Sequence, residues 1–182
     1  MNIYRLDSDG DVYESLIFKD KHDWKTVTEF SDQGKPAELW TPLAVDRYNK
    51  PYSGRRKKRE PSDFPFMSPL DVFSEKAVNA LGTMLSGNGT LLPFKHPESR
   101  FYLFLPDRVL DVLDEARSKL WKLDTGRIVS IDEFVFRPDA KFEASIFQIP
   151  QLRFKQTFVT EDFVTAVQAH DLRGFKFPKV WE

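Results

Sequence analysis

Thr160-Glu161-Asp162-Phe163-Val164-Thr165-Ala166-Val167-Gln168-Ala169-His170, continued by Asp171-Leu172-Arg173-Gly174-Phe175-Lys176-Phe177-Pro178-Lys179-Val180-Trp181, is the stretch that decides the fold class. Thr160 is a residue type that caps helices, and Glu161 and Asp162 place negative charge where the helix dipole favours it. Phe163, Val164 and Val167 recur at helical spacing and make one apolar face. Gly174 permits positive φ, after which Phe175 and Phe177 alternate as side chains of a strand do. The spacing predicts a helix, a sharp turn and an aromatic strand ending on Trp181, together closing a core. His170 near the helix C-terminus has a structural reason in the same dipole.

The whole chain supports a folded globule. It has 182 residues, enough for one domain with a sizeable core. Hydrophobic residues make up 41% and charged ones 30%, a folded rather than disordered balance. The 17 phenylalanines point to strands packed through rings. A net charge of -1 argues against a dedicated nucleic-acid binder. Without cysteine there is neither a disulfide framework nor a thiolate metal site. Met1 to Asp7 has no apolar leader-like run and no 18-residue apolar stretch occurs, so the expectation is a cytoplasmic protein without a membrane role.

Outward from the closing stretch, the clearest second helix is Ser74 to Leu85, capped by Ser74. Ala77, Leu81, Met84 and Leu85 form its stripe, and Ser86-Gly87-Asn88-Gly89 stops it. Ser68-Pro69 offers an alternative, earlier start. Strand patterns occupy 2–6, 38–45, 90–94, 101–105, 119–123, 127–136, 145–149 and 154–159. Asp107 to Leu113 reads as a brief helical turn, and Val12 to Phe30 is mixed. Residues 46–61, with Gly54 and the run Arg55-Arg56-Lys57-Lys58-Arg59, read as a mobile basic loop. The predicted architecture is α+β: a single domain over 1–182 with a mostly antiparallel, meandering sheet and two main helices packed against it.

Catalytic and metal motifs fail one by one. Asp7-Ser8-Asp9-Gly10-Asp11 opens like a calcium loop, but the twelfth position from Asp7 is Phe18 where a bidentate glutamate is needed. His22, His96 and His170 lack zinc spacing, and no G-x-S-x-G elbow exists. Gly87-Asn88-Gly89 follows a helix and has no lysine after it, so it is a helix stop rather than a phosphate loop. Asp111, Asp114 and Glu115, and Asp132 with Glu133, are paired carboxylates. Asp114 is placed to meet Arg117, and Glu133 to lie at the sheet margin or beside a cation.

Several segments, in order, carry a resemblance. They are Ser62-Asp63-Phe64-Pro65-Phe66, Val72-Phe73-Ser74-Glu75-Lys76-Ala77-Val78, Phe101-Tyr102-Leu103-Phe104 and Ile146-Phe147-Gln148-Ile149-Pro150-Gln151-Leu152. Phe158-Val159-Thr160-Glu161-Asp162-Phe163-Val164, then Gly174-Phe175-Lys176-Phe177 and Val180-Trp181, complete the set. Together they resemble the immunity-protein family of bacterial polymorphic toxin systems, from about Asp63 to Trp181. Residues 1–60 match only loosely, leaving 62–182 as the family-like core.

The resemblance implies a non-enzymatic α+β protein, without cofactor, that binds and occludes a cognate toxin inside the producing cell, nuclease domains being common among such toxins. It transfers no catalytic residue. The exposed charge clusters expected to meet such a partner are Arg55, Arg56, Lys57, Lys58 and Arg59, and on the opposite sign Asp7, Asp9, Asp11 and Glu14. Oligomeric state is open. The alternative is a small hydrolase or nuclease-like enzyme using Asp132, Glu133 and His96. A phosphate-binding module built on the basic run is a third reading.

Overall fold

The computed structural model describes residues 1–51 and 57–182. The first strands are β1 (Ile3–Arg5), β2 (Asp7–Ser8) and β3 (Ser15–Phe18), followed by helix α1 (Asp23–Asp32) and a 3-10 turn, Ala37–Leu39. Next come β4 (Val45–Tyr48), β5 (Asp71–Ser74), α2 (Glu75–Leu81) and α3 (Thr83–Ser86). Strands β6 (Gly89–Pro93), β7 (Phe101–Pro106), β8 (Lys119–Lys122), β9 (Ile128–Glu133) and β10 (Ile146–Phe147) follow. The chain closes with a 3-10 turn at Pro150–Leu152, β11 (Phe158–Thr160), α4 (Glu161–Ala169), β12 (Phe175–Lys176) and β13 (Lys179–Trp181).

The fold is α+β, and the strands pair antiparallel. Rather than one continuous meander they divide among a four-stranded sheet ordered β10-β11-β1-β13, a three-stranded sheet β5-β7-β6, and the pairs β2–β12, β3–β4 and β8–β9. The N-terminal strand lies inside the C-terminal layer, Ile3 facing Thr160 on one side and Trp181 on the other.

Three apolar clusters hold these pieces together. One joins α2 and α4 through Phe73, Leu81, Phe104, Phe163 and Val167. Another packs Leu16, Phe18, Val27 and Phe30 onto Phe94, Phe101 and Leu103. The last surrounds Ile3 with Phe136, Phe147 and Phe158, with Trp181 edge-on to Phe136 at 5.5 Å. Burying rings of this size supplies most of the driving force for folding.

α4 folds as its spacing predicts, with Phe163, Val164 and Val167 as its buried face. The single strand expected to end on Trp181 is instead two, β12 and β13, in different sheets, with Phe177 and Pro178 between them. Thr160 occupies the N-cap, but its side chain makes no capping bond and is buried instead. Ser74 does cap α2, accepting the Ala77 N–H at 3.1 Å. The helix expected from Ser74 to Leu85 breaks at Gly82, whose φ of 45° is unsuited to a continuing helix and starts α3 afresh.

Other boundaries moved for local reasons. α1 went unrecognised because only Val27 and Phe30 of its ten residues are buried, too few for a visible stripe. Around Trp40 the chain is a 3-10 turn rather than a strand, the indole Nε1 donating to Pro93 O at 2.8 Å. Asp107 to Leu113 is extended, bridging Gln148 and Phe136 instead of turning helically. The strand expected from Phe154 begins only at Phe158, since a 3-10 turn and a left-handed Phe154 precede it.

Candidate functional site: the N-terminal turn and its cleft

Arg59 sets the geometry of this region. Its guanidinium donates to Lys50 O at 3.1 Å, Gly10 O at 3.0 Å, Ser15 Oγ at 2.9 Å and Tyr48 O at 2.8 Å, and stacks over the Tyr48 ring. At 5% exposure it is an interior clamp, not a surface contact. The sequence-based placement of Arg59 on an exposed basic face is therefore corrected: its planar fork of donors reaches carbonyls of two segments at once.

Glu14 is corrected in the same way. It is 2% exposed, lies 3.3 Å from Arg47 Nε and accepts the Ser62 N–H at 3.3 Å. Burial pushes its carboxyl pKa up, while Arg47 and the Ser62 N–H pull it back. Of the rest of the basic run, Lys57 and Lys58 are exposed, and Arg55 and Arg56 lie outside the described residues. The segment read as a loop over 46–61 contains most of β4, its far end is tied by Glu60 N–H to Val12 O at 3.0 Å, and its residues 52–56 lie outside the described residues.

The acidic residues have cationic neighbours. Asp7 meets Arg5 at 2.7 Å, while Lys176 Nζ lies 3.0 Å from Asp9 and 4.0 Å from Asp11. The hydrogen bond to Asp9 raises the Lys176 pKa. The strand pair β2–β12 causes this, because it sets Lys176 opposite Asp7. The acidic turn and the basic run also adjoin, through a Tyr13–Glu60 bridge. Among the described residues, exposed Asp11 of the turn and exposed Lys57 and Lys58 of the run make this a face of mixed charge.

Beside that face opens a cleft of about 470 Å³ between β1, β2 and the segment Ser68–Asp71, with Arg5, Asp7, Phe66, Asp71 and Lys176 among its walls. Thr157 Oγ1 donates to Asp71 Oδ2 at 2.6 Å. Burial, added to by the charge of Asp7, pushes the Asp71 pKa from 3.8 to about 7 against the pull of that hydroxyl. Sequence reading missed Asp71, seeing Ser68-Pro69 only as a possible helix start.

Because the folded pKa lies above the unfolded value, the folded state binds more protons between them, and stability falls as pH rises from about 4 to about 7. Asp71→Asn removes this titration yet keeps an oxygen for Thr157. Its Tm should exceed the parent's at pH 8, and the gap should shrink by pH 5 in thermal melts. A pH-independent gap would refute the assignment.

The carboxylate and histidine set is not brought together. Asp132 and Glu133 are exposed on β9 and share Lys119, at 3.8 and 3.9 Å, so Glu133 is both marginal and paired with a cation. His96 follows β6 in a different sheet, its Nδ1 accepting from the backbone N–H groups of Glu98 and Ser99. Asp114 accepts the Arg117 backbone N–H at 3.1 Å. Among the described residues no group of three or more acidic or histidine side chains is arranged to hold a metal, and no helix is long and apolar enough to cross a membrane.

A family model described as "Immunity protein family (Imm11)" matches residues 90–182, half of the chain. The chain belongs to that family. Membership in Imm11 carries an immunity function. No curated protein matches the sequence. The Imm11 match takes in β7 to β13 and α4, and thus the stretch that decided the fold class. The cleft is shared: Lys155, Gln156, Thr157 and Lys176 come from the matched part, and Arg5, Asp7 and Asp71 from residues before it.

Proposed function

We propose that this Imm11 protein neutralises a cognate antibacterial toxin by binding it and covering its active site or substrate groove in the cytoplasm of the producing cell. The family match over residues 90–182 carries the reading. A stable complex of this kind buries about 1,200–2,000 Å² in total, and complementary charge speeds encounter. The mixed face that includes Asp11, Lys57 and Lys58 offers exposed charge of both signs for such steering. Neutralisation by binding requires no catalytic group on the immunity protein.

The test is co-expression with the C-terminal toxin domain encoded in the adjoining reading frame. Cells carrying both should survive, and the two chains should co-purify in a fixed ratio. Death of the co-expressing cells together with absence of a complex would refute the reading. Protection without a complex would exclude occlusion as the means.

A further inference from the structure

A second cleft, of about 360 Å³, opens where β11 runs into α4, between residues 142–145 and 160–162. Its walls carry three exposed carboxylates, Glu143, Glu161 and Asp162, against one cationic group, the Met1 amine. Among the described residues Glu143 and Asp162 make no ion pair. Glu161 accepts a neutral donor, Asn2 Nδ2, at 3.2 Å. Lys179 of β13 feels the charge of Glu161, yet its ion pair is with Glu182. Net negative charge is therefore left facing the cleft.

Thr160 separates this cleft from an ordinary acidic patch. It is 5% exposed and lines the cleft, yet its hydroxyl neither caps α4 nor meets any other group among the described residues. The strand register sets where that hydroxyl points. Thr160 stands opposite Ile3 and two residues beyond Phe158, so its side chain shares their face of the sheet. Phe142 packs on that same face and forms another wall of the cleft. Buried polar groups are almost always hydrogen-bonded, so a hydroxyl held here without a partner marks a place for one from outside the chain.

We propose that this cleft receives a basic side chain of the toxin, an arginine or lysine, held by Glu143 and Asp162 while Thr160 Oγ1 accepts one of its N–H groups. The inference rests on the proposed toxin-binding function and names one of its contacts. Charge selects the occupant: three carboxylates against one amine attract a cation and repel a phosphate or carboxylate. The dipole of α4 opposes a cation at this end, but Glu161 and Asp162 in the first turn outweigh its roughly half charge. A metal ion fits less well, since among the described residues no three acidic or histidine side chains are arranged to hold one. Arginine suits best, because its planar fork can serve carboxylate and hydroxyl acceptors together. Apart from Met1, every wall residue falls in the part matched by the immunity family, which is why the toxin is the partner named.

Thr160→Val separates binding from folding, because it keeps the β-branched shape and removes a hydroxyl that has no internal bond to lose. Its Tm should equal or exceed the parent's, while its affinity for the adjoining toxin domain, measured by calorimetry, should fall about tenfold. A second variant, Glu143→Gln/Asp162→Asn, should weaken binding at least about tenfold, with the difference narrowing as salt is added. Replacing the toxin's exposed arginines and lysines singly should find one whose loss costs little more in that second variant. Finding none would overturn the basic occupant. Parent and both variants binding the toxin equally would overturn this cleft and leave the proposed function standing. A parent that does not bind the toxin at all would overturn both. Magnesium or calcium raising the Tm of the parent but not of Glu143→Gln/Asp162→Asn would overturn the toxin side chain in favour of a metal ion.

Discussion

Replacing Arg59 with alanine should lower the unfolding free energy by about 3–5 kcal/mol, the range seen when one partner of a buried charged network is removed. The reason is the environment of the guanidinium rather than its charge. It donates to Gly10, Tyr48 and Lys50 carbonyls and to Ser15 Oγ, in a setting that is 5% exposed. Alanine would leave these acceptors without the donor and open a space water must fill. Arg59→Lys should recover only part of the loss, since an ammonium cannot reproduce the planar fork that reaches both segments. Lys57→Ala and Lys58→Ala should change stability by less than about 0.5 kcal/mol, because both side chains are exposed. Urea denaturation of the four variants checks the ranking. Equal effects along the run would show that Arg59 is an ordinary surface charge.

Gly174→Ala should be nearly as costly, at about 2–5 kcal/mol, from left-handed strain together with overpacking. Gly174 has φ of 92°, and a Cβ there would stand 1.9 Å from Ser62 Oγ. That hydroxyl already accepts the Phe64 N–H at 3.1 Å, so it cannot simply turn away. The damage would spread along β12. Gly174 O accepts the Asp9 N–H, and Phe175 stacks on Phe64 at 4.9 Å, so both the acidic turn and the aromatic core are tied to this point. Ser62→Ala in the same chain should recover part of the loss by removing the nearest atom, leaving the Ser62 Cβ contact and the φ strain. The double-mutant cycle should therefore be clearly non-additive. Strict additivity would mean the two residues do not meet.

The closing stretch was readable because what it encodes is local. Three apolar residues at helical spacing and a glycine followed by Phe175 suffice to specify α4, the turn and the start of β12. Ser74 likewise announces the start of α2. α1 was not readable, because its two buried residues leave most of its surface in water. Of the candidate site the sequence showed which residues are charged but not their exposure: Arg59 and Glu14 are buried.

The sequence alone determined the α+β class, helix α4, the start of α2, the place of most strands from β6 onward and the family resemblance, since each depends on residues close together in the chain. Only the tertiary structure decided that Arg59 and Glu14 are interior, that Lys176 pairs with Asp9 and Asp11, and that Asp71 and Phe154 stand at clefts. Arg59 finds its acceptors 9 to 49 residues away and mostly on backbone carbonyls. Every residue carries a carbonyl, so such a partner leaves no mark in the pattern of side chains until folding brings the segments together.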